Sequence, residues 1–314
     1  MKVQARLYIL VETMLRFLFV LLPLLQFCYA DLDVIVMPFH KRQLNKLLFN
    51  LESWKTFPPT SKESKNVELV IYNSGLVDLD LEKAIMNFFK ENPKISDYFT
   101  NISVQFALLR GIKDSYYRGT RAMFESLLLR GSTLKYSNPN VNYVFYMEPD
   151  CLPIKAYWLD AINEEINTTG GDFWMIGSKY EGEIRWFGLK TDDFLNHLNG
   201  NSIYNIGSQE FQQFYRQEVL PIYPKAELVP YDLKISQVLY ANNSALLHKY
   251  GDKYKATRVI VNTGGATHLL SNIQNTFMQH ISDNWDGYWR FYQKALPTDN
   301  HQLLERLKSL VSIN

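Results

Sequence analysis

Tyr143-Val144-Phe145-Tyr146-Met147-Glu148-Pro149-Asp150 is an apolar, aromatic run that ends abruptly in two acids. Such a run reads as a buried strand. Two carboxylates delivered at its carboxyl end build a site for a hard cation at a sheet edge. Oxygen ligands suit Mg²⁺ or Mn²⁺, which leave further coordination positions to water and phosphate oxygens. Pro149 fixes the backbone between the acids, so both can point at one ion. A solvated turn, with Asp150 capping the next helix, is the competing reading of the same residues.

Upstream of this strand the chain alternates strand and helix. Asp33–Met37 reads as a strand stopped by Pro38. Leu44, Leu47, Leu48, Leu51 and Trp54 recur at helical spacing up to Pro58-Pro59. Glu68–Tyr72 is a second strand, Leu79–Glu91 a helix, Ile102–Leu109 a third strand and Arg121–Leu129 a helix. Downstream, short strands are expected at Phe173–Ile176 and Val259–Val261. Helices are expected at Ser208–Gln217 and Leu233–Tyr240, and an amphipathic one at His301–Val311. Apolar strands alternating with helices predict an α/β fold with a largely parallel sheet. Ligands on such sheets bind at the carboxyl ends of strands. Pro38, Asn73 and the Glu148–Asp150 pair all fall at those ends.

The 314 residues are 46% hydrophobic, enough for one large core, and the net charge of +1 argues against a nucleic-acid partner. Lys2, Arg6 and Arg16 precede an apolar run from Phe17 to Leu25, followed by Cys28-Tyr29-Ala30. This is the layout of a secretory signal cut after Ala30, with an uncleaved type II membrane anchor as the alternative. Either places the remainder in the lumen of the secretory pathway, ER or Golgi, or outside the cell. Sequons at Asn101, Asn167 and Asn242 agree with that route. Cleavage would leave Cys151 alone, a small buried hydrophobe. The expected organisation is a signal over residues 1–30, a catalytic domain over 31–275 and a helical extension over 276–314.

Other residues suggest chemistry. Arg118 and Arg121 stand at the start of the helix before the acidic strand, where guanidinium groups and a helix N-terminus suit a diphosphate. His197, Asn199 and Asn201 surround Gly200 in a polar segment that reads as a sugar-binding loop. Asp232 could act as a carboxylate base toward an acceptor hydroxyl, although helix capping explains it equally well. Asp192 and Asp193 are rivals for that role, with Asp193 retained as the second candidate. Trp158, Trp174 and Trp186 could form sugar platforms, with core packing the competing reading for the first two.

The chain resembles the GT-A class of sugar-nucleotide-dependent glycosyltransferases. The motifs D-V-I-V-M-P-F-H at 33–40, Y-M-E-P-D-C-L-P-I at 146–154, H-L-N-G-N-S-I-Y at 197–204 and the region of His268 carry that resemblance. It departs from the usual motif in having Glu148 where Asp is commonest, which leaves open which acid binds the ion directly. The resemblance implies a GT-A-like three-layer α/β sandwich around a mostly parallel mixed sheet. It implies Mn²⁺ or Mg²⁺ held by Glu148, Asp150 and a late histidine, His268. It also implies a nucleoside held near Pro38, Phe39 and Asn73, with a nucleotide-diphosphate sugar as donor. A glycan, protein or lipid hydroxyl would be the acceptor. Two other activities are compatible with such a fold. One is a sugar nucleotidyltransferase, disfavoured because no glycine-rich loop follows the first strand. The other is a secreted carbohydrate-binding protein without catalysis.

Overall fold

A computed structural model describes residues 30–61, 66–180, 196–222, 229–241, 245–262 and 276–280. The chain divides into two compact units, Met1–Ala30 and Asp31–Asn314, and the account below concerns the second. The expected signal residues, the 301–311 helix, Asp192, Asp193, Trp186 and His268 lie outside the described residues.

The central sheet has seven strands: β1 (Val34–Phe39), β2 (Glu68–Asn73), β3 (Asn101–Phe106), β4 (Tyr143–Tyr146), β6 (Met175–Lys179), β7 (Leu198–Asn205) and β8 (Tyr254–Ala256). Their order is β3-β2-β1-β4-β7-β6-β8. β1 runs parallel to β2 and β4, and β2 to β3. β7 is antiparallel to both its neighbours, and β8 returns parallel to β6. The fold is therefore mixed α/β around a mostly parallel sheet, as a GT-A-like architecture requires.

Parallel strands are covered on both faces, and β1 and β2 are buried throughout, whereas β3 at the sheet edge is half-buried. Val34, Val36, Val70, Tyr72, Val144 and Tyr146 face one side of the sheet. They pack with Phe124 and Leu127 of α4 (Tyr116–Leu128) and with Tyr231 and Ile235 of α7 (Tyr231–Tyr240). The alternate residues Ile35, Met37, Leu69, Ile71 and Phe145 are just as inaccessible. The remaining long helices are α1 (Leu44–Ser53), α2 (Leu79–Glu91) and α5 (Trp158–Thr168). Trp54 and Trp158 join α1 to α5 with ring centroids 5.3 Å apart.

Pro38 does not stop β1, as the sequence suggested; the strand runs on to Phe39. The Val36 carbonyl accepts from Met147 N–H at 2.9 Å, so residues 36 and 38 turn their backbone polar groups toward β4. Pairing with β4 ends at Val36. The N–H that Pro38 lacks therefore falls where no ladder bond is available to lose.

A second sheet has three strands, β5 (Cys151–Pro153), β10 (Met278–His280) and β9 (Ile260–Asn262), with β10 in the middle. β10 corrects the expectation that the chain beyond 275 is wholly helical. Its register sets His280 opposite Cys151 on one side and Asn262 on the other.

The His197–Asn201 segment is likewise not a loop. It enters β7, which pairs with β4 directly behind the acids, and Gly200 and Asn201 are buried. No described helix is long and apolar enough to cross a membrane.

Candidate metal centre

β4 delivers its acids into a tight turn. Cys151 N–H donates to the Glu148 carbonyl at 2.9 Å, closing a four-residue turn with Pro149 at its second position. Two asparagines hold this turn from opposite sides. From α1, Asn50 Nδ2 donates to the carbonyls of Pro149 (3.1 Å) and Cys151 (2.8 Å). Asn50 Oδ1 accepts from the Trp54 indole at 3.0 Å. From β7, Asn201 Oδ1 accepts from Glu148 N–H at 2.7 Å, and its Nδ2 donates to Glu148 Oε2 at 3.1 Å. Asn199 Oδ1 in turn accepts from the Asn201 amide at 2.8 Å. Asn201 is thus committed to Glu148 rather than open to a sugar hydroxyl.

The third side comes from β10. His280 Nε2 lies 3.4 Å from Asp150 Oδ1 and 3.8 Å from Glu148 Oε2. His280 Nδ1 is 3.1 Å from Asn262 Oδ1, which can only accept, so Nδ1 carries a proton and Nε2 faces the acids. One ligand atom from each of Glu148, Asp150 and His280 falls within 4.8 Å of the others. Bonds of about 2.1 Å to a common Mg²⁺-like ion span at most about 4.2 Å between ligand atoms, which the 3.4 and 3.8 Å separations from His280 Nε2 satisfy. Asp150 Oδ1 is buried and makes no well-formed hydrogen bond, its polar neighbour being His280 Nε2 at 3.4 Å, so a cation would complete its coordination. The residues present therefore fit a divalent ion. The second acceptor on His280 is the kind of outer partner that fixes a metal-binding imidazole.

Electrostatics mark the same cluster. Burial, and then the Asp150 charge, push the Glu148 carboxyl up to about 7. Burial also works against the Asp150 charge, but the His280 contact outweighs it and holds Asp150 below the ordinary aspartate range. Burial would lower His280, yet Asp150 and Glu148 raise it to about 9. Without metal the cluster holds protons that a cation would displace.

Gly200 and Asp232 brace the strand that carries Asn201. Gly200 N–H donates to Asp232 Oδ2 at 2.9 Å, and Leu233 N–H to Asp232 Oδ1 at 2.9 Å. A Cβ on Gly200 would come within 2.4 Å of the Tyr231 hydroxyl, so the close approach of α7 requires glycine here. Tyr231 stacks on Phe124 with centroids 3.9 Å apart. Asp232 sits beside the acid cluster, but both its oxygens are occupied by backbone donors. The described geometry makes it a tie between β7 and α7. It is not the N-cap, a position held by Pro230.

The remaining expected residues are dispersed. Phe39 is 2% exposed and Pro38 is buried in β1, so the Phe39 ring has no face free to stack on a base. Asn73 is also buried; it donates to the Phe39 carbonyl at 3.3 Å and accepts from Gly75 N–H at 2.9 Å. Arg121 pairs with Glu125 at 2.7 Å along α4. Arg118 and Tyr116 occupy the first turn of that helix. The Tyr116 phenol is raised first by the Glu148 charge, then by burial, with Asp232 and Asp150 contributing. His197 is buried just before β7. Trp158 and Trp174 are core residues, not platforms.

Ten large hydrophobic residues of the described chain are exposed; Leu76, Val77, Leu108 and Ile112 lie in the segments after β2 and β3, and Leu79 and Tyr116 open α2 and α4. The two segments are bonded together through Leu108 N–H and the Gly75 carbonyl at 3.0 Å.

Three residues of the centre escaped the sequence reading, Asn50, Asn262 and His280, and with them the histidine's strand. Met278-Gln279-His280 is three residues long, with no periodicity to reveal it.

No protein-family model matches the chain, and no curated protein matches it. Among solved structures it is similar to the glycosyltransferase GlyE of Streptococcus pneumoniae TIGR4. That likeness has 10% identity and a TM-score of 0.47, over 89% of this chain and 64% of that one. It is similar to the galactosyltransferase LgtC in complex with donor and acceptor sugar analogues, with 13% identity and a TM-score of 0.45. There the coverage is 86% of this chain and 99% of that one. It is also similar to mouse xyloside xylosyltransferase 1, with 8% identity and a TM-score of 0.47, over 81% of this chain and 99% of that one. The chain thus spans under two thirds of the GlyE structure and nearly all of the other two.

Proposed function

We propose that this chain is a divalent-metal-dependent glycosyltransferase that moves a sugar from a nucleotide-diphosphate donor to a hydroxyl acceptor. The observation that carries the reading is the buried Glu148–Asp150–His280 cluster at the carboxyl end of β4, with an Asp150 oxygen left unsatisfied. When bound there, Mn²⁺ or Mg²⁺ supplies charge neutralisation to a departing diphosphate. Glu148, Asp150 and His280 hold the ion's position. Asn50 and Asn201 hold the acids, so little reorganisation is needed as charge develops. The proposed setting is the lumen of the secretory pathway, supported by the basic–apolar–small layout of residues 1–30. Acceptor candidates are glycans, proteins and lipids.

The test is a donor screen on the purified full chain. Nucleotide-diphosphate sugars are incubated with Mn²⁺ and with chelator, and nucleoside diphosphate release is measured. Metal-dependent release from one donor, lost in Asp150→Asn, is expected. A folded protein that neither binds nor cleaves any donor with Mn²⁺ present would leave a carbohydrate-binding module without catalysis.

A further inference from the structure

The centre has a charge problem that its three ligands do not solve. Two carboxylates balance the charge of a divalent ion, so beyond the phosphate oxygens that the ion itself would coordinate, the remaining charge of a diphosphate calls for a further cation. α1 supplies one. Its Asn50 is fastened to the carbonyls on either side of Asp150, at 3.1 and 2.8 Å. Lys46 precedes Asn50 by four residues, so it shares that helix face about 6 Å nearer the helix start. The start of α1 follows the carboxyl end of β1 through the short turn Lys41–Gln43, so that direction leads to the rim where the acids emerge. Lys46 is half-buried there, not extended into solvent.

From the placement of Lys46 on the Asn50 face of α1, beside the Glu148–Asp150 turn, we infer that its ammonium group binds the donor's diphosphate. This rests on the glycosyltransferase reading and names a residue for it. The ammonium is a compact point charge with three donors on a flexible stem, suited to a phosphate oxygen not taken by the ion. A purely structural Lys46 would serve only to neutralise Asp150.

Calorimetric titration of the full chain separates these roles. Wild type, Lys46→Met and Lys46→Arg are titrated with MnCl₂ alone. They are then titrated, at saturating Mn²⁺, with UDP, GDP and ADP and with the matching nucleosides. Loss of one charge-assisted hydrogen bond should weaken diphosphate binding by about ten- to a hundredfold in Lys46→Met. Nucleoside and Mn²⁺ binding should change little, and Lys46→Arg should recover most of the loss. Equal diphosphate affinity in Lys46→Met and wild type overturns the inference. So does a loss of Mn²⁺ affinity as large as the loss of diphosphate affinity, which would make Lys46 a support for Asp150. A wild-type chain that binds Mn²⁺ but no diphosphate overturns the glycosyltransferase reading itself.

Discussion

The parallel strands of the central sheet and the strands that surround the acids are built by different rules. β1, β2, β3 and β4 run parallel, with β1 and β2 buried throughout, and are joined by long amphipathic helices. They provide the platform and the two acids. β7, β9 and β10 are short or polar, come from distant parts of the chain, and provide what surrounds the acids: Asn201, Asn262 and His280. One region supplies charge and the other gives it geometry. The ion-binding capacity of the first should therefore be worthless without the second.

Removing the charge is the severest way to break this pairing. Asp150→Asn deletes the unsatisfied carboxylate oxygen while keeping the side-chain shape. Mn²⁺ affinity should fall by more than about a hundredfold, beyond the cost of losing an outer partner. Donor cleavage should fall with it, and the circular dichroism spectrum should stay native. A mutant that binds Mn²⁺ like wild type would remove Asp150 from the centre.

The histidine tests the second region. His280→Ala should cost nearly as much Mn²⁺ affinity as Asp150→Asn. Asn262→Ala, which releases only the outer hydrogen bond, should cost about ten- to a hundredfold. Equal affinity in His280→Ala and wild type, measured by calorimetry, would return the third ligand to some other residue, with His268 the candidate the sequence offers.

These differences also explain what the sequence could show. The helix Leu79–Glu91 was legible to the residue because Asp78 caps it and Leu81, Ile85 and Phe89 repeat at helical spacing. The strand before Glu148 was legible because a strand buried on both faces is apolar without interruption. Asn201 was visible as a polar residue, but its role was misread. Amides in a buried strand look like amides in a loop until the partner strand is known. His280 was hidden for a deeper reason. Its position depends on register with Cys151 across 129 residues, and a three-residue strand carries no local pattern. Phe39 misled in the opposite sense, since an aromatic at a strand end was packing, not stacking.

The two asparagines sharpen the comparison at smaller cost. Asn201→Ala leaves Glu148 N–H and its carboxylate without their partner, so Mn²⁺ affinity should fall about tenfold or more while the melting temperature drops modestly. Asn50→Ala strips two buried carbonyls and the Trp54 indole of partners, so its effect should fall on stability, by about 1–3 kcal/mol. Chemical denaturation and metal titration on both variants check this. The same ratio of metal loss to stability loss in the two would mean that both asparagines merely support the fold.

The gentlest probe is pH in the chelated protein. Glu148 titrates near 4.5 when unfolded and about 7 when folded, so between those values the folded state holds the extra proton. Stability then falls as pH rises through that window. His280 has the same sign, being raised from 6.5 to about 9; its contribution is complete below 6.5 and lost as pH climbs to 9. Asp150 is depressed, so its contribution disappears only at pH values below its ordinary 3.8. The melting temperature in chelator should decline from pH 5 to pH 9, and Mn²⁺ should offset the decline increasingly as protons leave the cluster. Glu148→Gln should flatten the lower part of the curve. If the Glu148→Gln, His280→Asn double variant keeps the wild-type slope, the pH response arises elsewhere. The acids and the late strand would then not be coupled in the way their distances imply.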